Sequence, residues 1–139
     1  MTQPILICAQ PVDSLRASEV ASAALDGFGD AGRTDFDVIE LPAEGDAKAL
    51  LLEHQFDRRM KAAFAVVIVT ERLRDGEMRG SLPGEAATNA RQAGVACHAI
   101  CAENAIELFT ARIYDLQTVH TARTNEEIRA AARTLSAEL

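Results

Sequence analysis

Tryptophan is absent from this chain, and aromatic residues of any kind are scarce: one Tyr and five Phe in 139 residues. The core must therefore be aliphatic and rich in alanine. Cysteine is also rare. Cys8, Cys97 and Cys101 are an odd number and make no disulfide framework. Basic residues are in deficit, 14 Lys and Arg against 21 Asp and Glu, for a net charge of −7. That balance argues against a broad phosphate-backbone interface, and it disfavours nucleic acid and anionic membrane as partners. No apolar run approaches the ~20 residues that span a bilayer. Met1-Thr2-Gln3-Pro4 lacks the basic start and long apolar stretch of a signal peptide. A cytoplasmic, reducing location is expected.

Several motifs are missing as well. No GxGxxG follows the first strand, which excludes a dinucleotide-binding turn, and no GxxxxGK[ST] occurs. Cys8-Ala9-Gln10-Pro11-Val12 is not the Ser, Thr and Gly cradle that a flavodoxin needs for phosphate. Strand three ends in Thr70-Glu71, without the Asp that a phospho-acceptor receiver requires. No nucleophile elbow marks a Ser-His-Asp triad.

What is present is a globular composition, 48% apolar, in a length suited to one domain over 1–139. Apolar runs of strand length alternate five times with helical patterns. Strands are expected over residues 4–8, 36–41, 65–69, 95–101 and 112–119. Helices are expected over 18–29, 46–61, 83–94 and 125–139, with a short one over 103–109. Gly27, Gly29 and Gly32 are expected to loosen and end the first helix. Pro83 suits a first helical position, and Thr124 with Glu127 reads as a capping box. The continuous run Ala65-Val66-Val67-Ile68-Val69 reads as a central parallel strand covered on both faces. The pattern predicts a three-layer α/β fold: a doubly wound, five-stranded parallel sheet in the flavodoxin-like order 2-1-3-4-5.

Ligands of such sheets bind outside the carboxyl ends of the strands. The loop over 70–82 is long for a compact domain, and such loops are often functional. It holds Arg72, Arg74 and Arg79 among Glu71, Asp75 and Glu77, and it feeds a helix N-terminus that favours an anion. One reading is a carboxylate or phosphate site. The other is a solvated charged loop whose arginines pair with neighbouring acids. Strand alternation sends Cys97 and Cys101 to one face and His98 to the other, so these three do not converge on a metal. Buried cysteines read as small apolar residues, with reactive Cys8 and Cys101 as the alternative. On the helix over 46–61, Leu50, Leu51, Leu52, Phe56 and Met60 spread wider than one core-facing stripe. That spread predicts self-association, most simply as a homodimer.

The run SLRASEVASAALDGF at 14–28, after the strand Ile5-Leu6-Ile7-Cys8, resembles the opening of the bacterial glycerate kinase family. The stretch VVIVTERLRDGEMRGSLPGEAATNARQAGVACHAI resembles that family's late segment: a strand, GEGR-x-D, a GK-x-P turn, an alanine-rich helix and GVPVIAI. Residues 112–135 resemble its last strand and helix. The family carries a larger second domain between these blocks; here only residues 55–65 intervene. The resemblance implies catalytic roles for Glu71 and Asp75, which fall on the motif's acids, and ligand contacts by Arg72, Arg74, Arg79 and Ser81.

The chain departs from the family in the loops. PDSFK has become Ala9-Gln10-Pro11-Val12, DGGEGT has become Ala43-Glu44-Gly45-Asp46-Ala47, and Ser81 replaces the lysine of GK. Phosphoryl transfer needs cationic charge near the phosphates and glycines that admit backbone N–H groups. The expectation is a glycerate-kinase-like domain without kinase activity, binding a small organic anion or a protein, with no cofactor and no metal. The alternative is a glycerate kinase-type phosphotransferase for a small hydroxy acid, using ATP and Mg, alone or completed by a partner subunit.

Overall fold

In the computed structural model, residues 3–139 are described; Met1 and Thr2, the first half of the N-terminal Met1-Thr2-Gln3-Pro4, lie outside them. The chain forms β1 (Ile5–Ala9), α1 (Ala17–Asp30), β2 (Phe36–Glu40), α2 (Ala47–Glu53) and α3 (Phe56–Lys61). There follow β3 (Ala65–Arg74), α4 (Leu82–Ala93), β4 (Ala96–Ala105), α5 (Leu108–Ile113), β5 (Leu116–Thr121) and α6 (Asn125–Ser136). All strand pairs are parallel and the order is β2-β1-β3-β4-β5, the flavodoxin-like order expected. No helix among the described residues is long and apolar enough to cross a membrane.

Alternation along the strands divides the core. Ile5, Ile7 and Ala9 of β1, Val67 and Val69 of β3 and Ile100 of β4 pack under α1 and α6. Leu6, Cys8, Val66, Ile68, Cys97 and Ala99 face the other way, against α2, α3 and α4. β1 and the first five residues of β3 are buried throughout, which is why they read as unbroken apolar runs.

Gly27 does not loosen α1. It lies within the helix, where a Cβ would collide with the Arg129 carbonyl and with Ala132 of α6. The glycine is what lets α1 and α6 touch backbone to backbone. α6 is further tied by Arg129 to Asp30 at 2.7 and 2.8 Å, and by Arg33, which donates to the Ser136 hydroxyl at 3.0 Å. Its N-terminus carries the expected capping box: the Thr124 hydroxyl accepts from the Glu127 N–H at 3.1 Å, and Glu127 accepts from the Thr124 N–H at 3.3 Å.

Four expected elements differ. The single helix over 46–61 is two helices, broken at Gln55, which has φ 54°. Ala47 and Leu51 are four apart and buried, as are Phe56 and Met60, but Leu51 and Phe56 are five apart. A continuous helix would turn the second pair off the core, and the break restores its phase. The first five residues of the loop expected over 70–82 are strand. β3 continues to Arg74 because β4 runs alongside it, with Arg72 opposite Glu103 and Arg74 opposite Ala105. The same pairing converts the start of the expected helix over 103–109 into β4. The true helix, α5, then takes Leu108–Ile113, and β5 begins four residues later than expected, after the turn at Asp115.

Candidate functional site

In the order 2-1-3-4-5 the chain reverses direction across the sheet between β1 and β3, so the carboxyl ends of those strands are the place for a ligand. Side chains of the protein itself close that place. The Gln10 N–H donates to the Val69 carbonyl at 2.9 Å, continuing the ladder past β1. The Thr70 hydroxyl donates to the Gln10 side-chain oxygen at 2.7 Å, and the Gln10 amide nitrogen donates to the Pro42 carbonyl at 3.0 Å. One amide thus ties together the ends of β1, β2 and β3. Both side chains are buried, at 5% and 4% exposure. Among the described residues, every buried side-chain nitrogen and oxygen has a hydrogen-bond partner. None is held in reserve for a ligand inside this edge.

The first loop is fixed in the same way. Val12 is fully buried and exchanges both backbone hydrogen bonds with Leu15, at 3.1 and 2.8 Å. The turn between them puts Asp13 at φ 52°, and the Asp13 N–H donates to the Glu71 carboxylate at 2.5 Å. Glu71, for which the resemblance implies a catalytic role, acts here as the acceptor that pins the first loop to β3.

The remaining expected site residues do not converge. Arg72 pairs with Glu77 at 3.2 Å, and Arg74 bridges Glu77 and Glu103 at 3.4 Å each. Arg72 and Arg74 are thus paired with neighbouring acids, as the second reading has them, and Arg79 is not. Asp75 turns away from those arginines; its carboxylate accepts from the Glu107 N–H at 3.3 Å, ahead of α5. Ser81 caps α4. Its hydroxyl accepts from the Gly84 N–H at 3.0 Å and donates to the Met78 carbonyl at 2.7 Å. Gly84 is obligatory in that turn, since a Cβ there would strike the Met78 carbonyl. Of the four expected ligand contacts, only the Arg79 side chain makes no hydrogen bond or ion pair among the described residues.

Arg79 borders a shallow depression of about 420 Å³ between the loop after β2 and the start of α4. Lys48 of α2, Asp46 and Glu85 share it, so two cations and two carboxylates face one hollow. Asp46 is already engaged as the cap of α2, accepting from the Ala49 N–H at 3.0 Å. The arrangement can hold a small anion between Arg79 and Lys48. Lys48 escaped the sequence reading because nothing local links it to Arg79; the packing of α2 against α4 does. A second hollow of about 480 Å³ lies beyond β4 and β5, bordered by His120, Arg123, Glu127 and Thr134. His120 there pairs with Glu138 at 3.1 Å.

All three thiols are buried. Burial pushes Cys8 up to about 12, against a lowering by nearby Arg59, and pushes Cys101 up to about 11. Cys97 is raised for the same reason. At neutral pH these groups are protonated thiols packed as apolar residues, which overturns the reading of Cys8 and Cys101 as reactive. His98 is buried on the opposite face from Cys97 and bonds the Thr118 hydroxyl at 2.8 Å; burial lowers its pKa.

No protein-family model matches the chain, and a search of curated proteins finds no match.

Proposed function

We propose that this chain is a glycerate-kinase-like domain without phosphoryl-transfer activity, working as a protein-interaction module. One observation carries the reading: the polar groups at the carboxyl ends of β1, β2 and β3 are bound to one another. Phosphoryl transfer requires cations and backbone N–H groups aimed at an incoming phosphate. Glu71 is bonded to the first loop, Ser81 to α4, and Arg72 and Arg74 to glutamates. What the surface offers instead is apolar: Leu52, Leu108 and Phe109 are 80%, 68% and 71% exposed.

Binding of a small organic anion is the second reading, and Arg79 with Lys48 favours it. A coupled assay with ATP, Mg and glycerate tests the principal proposal. The expected result is no turnover above background. Turnover that disappears in Asp75→Ala would establish the phosphotransferase instead. A thermal-shift series with small carboxylates and inorganic phosphate tests the second reading, and Arg79→Ala should remove any stabilisation seen.

A further inference from the structure

We propose that the groove between α2–α3 and α4 is the docking site for a second copy of this chain, and that Leu52 of each copy fills the groove of the other. The proposal rests on the interaction-module reading and names its partner.

The break at Gln55 opens a groove of about 570 Å³. Leu51 and Phe56, 4% and 1% exposed, form its floor, and Asn89 of α4 stands on the far side. Its rim carries the cations Lys48 and Arg58 and the carboxylate of Asp57, which is paired with Lys61 at 2.9 Å. Leu52 lines the outer edge of the groove. At 80% exposure it is the most exposed large apolar side chain among the described residues. Glu53 follows it directly, also exposed. Lys48 and Glu53 have no ion pair or side-chain hydrogen bond among the described residues.

The chain therefore carries both halves of one contact. Leu52 followed by Glu53 is an apolar knob beside an acid. The groove is an apolar floor beside a cation. Antiparallel pairing of two α2 helices about a two-fold axis between Leu50 and Leu51 brings residues before that point opposite residues after it, Lys48 opposite Glu53 and Ala49 opposite Leu52. Each Leu52 then lies over the other copy's groove, and each Glu53 approaches the other copy's Lys48. Because the patch complements itself, the contact closes at two copies and does not propagate. A foreign partner would need to supply the same knob and the same acid. Helices of seven and six residues give a contact no larger than the lower end of stable interfaces, roughly 1,200 Å² in total, so weak association is expected. α5 offers a rival surface, with Leu108 and Phe109 exposed beside a smaller hollow of about 280 Å³.

Sedimentation equilibrium of the full chain, from low to high micromolar, decides the matter. The wild type is expected to pass from monomer to dimer. Leu52→Asp should raise the dissociation constant at least about thirtyfold, as a central interface residue does. Phe109→Asp should leave it unchanged. Lys48→Glu alone should weaken the dimer, and adding Glu53→Lys should restore it. A constant monomer mass overturns the proposal. So does a dimer dissolved by Phe109→Asp and not by Leu52→Asp, or a double reversal that restores nothing. The outcome is separable from the kinase assay. A monomer without turnover removes the dimer and leaves the proposed function standing; a dimer with turnover does the reverse.

Discussion

Thr70 donates its hydroxyl to the side-chain oxygen of Gln10 at 2.7 Å, and the pair lies buried where β1 ends beside β3. In a ligand-binding sheet of this order, that position belongs to the ligand. Here it belongs to an amide that also reaches the loop after β2.

Gln10→Ala should therefore destabilise the protein. It leaves the Thr70 hydroxyl and the Pro42 carbonyl without their partner, at a cost of about 1–3 kcal/mol. Gln10→Ala with Thr70→Val removes the stranded hydroxyl and should recover part of the loss. Urea unfolding of these two variants and of Thr70→Val alone measures this. A double variant that loses the full sum of the two single effects would show that the two side chains act independently.

Glu71 tests the assignment of this edge from another side. Glu71→Gln keeps an acceptor for the Asp13 N–H but weakens it, and Glu71→Ala removes it. The expected result is faster amide exchange at Asp13 and neighbouring residues of the first loop, graded from Gln to Ala. Exchange in β1 and β3 should not change. A global loss of protection would instead place Glu71 in the cooperative core.

The sequence made the sheet legible and hid the closure of its edge, for one physical reason. Strand cores and their order follow from local alternation and run length, as with residues 65–69 and the Thr124–Glu127 box. The extension of β3 through Thr70-Glu71-Arg72 has no apolar signal of its own; it exists because β4 supplies the ladder, with Arg72 opposite Glu103. The break at Gln55 lacks the usual Gly or Pro and follows from the phase of Leu51 and Phe56 against a core defined elsewhere. Site residues suffered most. Arg72, Arg74, Asp75 and Ser81 have the composition of a binding loop, and only their partners, Glu77, Glu103, the Glu107 N–H and Gly84, reveal that they are engaged.

Asp37 gives the stability a defined acid limb. Arg59 forks onto its carboxylate, with its Nε at 2.9 Å and an Nη at 2.5 Å, and also donates to the Val38 carbonyl at 2.9 Å. Those hydrogen bonds hold the Asp37 carboxyl below its ordinary value, against a smaller rise from partial burial. A depressed folded-state pKa means stabilisation that is complete above the unfolded value, about 3.9. It is lost as pH falls through the folded one. Asp37→Asn should cost about 1–2 kcal/mol at pH 7, an amount reduced by the partial exposure of the pair. The gap between variant and wild type should narrow below about pH 4. Denaturant titrations at neutral and acid pH measure it, and a gap that stays constant down to acid pH would remove the ion pair as its source.

Two glycines in one helix carry opposite predictions. Gly27 and Gly29 both belong to α1, and both look like helix weakeners in the sequence. Gly27 faces α6, where a methyl group would overlap the Arg129 carbonyl and the Ala132 side chain. These neighbours are backbone and a short side chain in a helix held by Arg129–Asp30 and Arg33–Ser136, so neither can move aside cheaply. Gly27→Ala should cost about 1–3 kcal/mol through overpacking, despite the better helix propensity of alanine. Around Gly29 nothing lies within 4 Å of an added Cβ. Its backbone is helical, so Gly29→Ala should stabilise by up to about 1 kcal/mol through the lost freedom of the unfolded chain. Thermal unfolding of the two variants side by side separates packing from propensity. If both alanines stabilise, α1 and α6 do not meet at Gly27; if both destabilise, the end of α1 is more constrained than its open surroundings indicate.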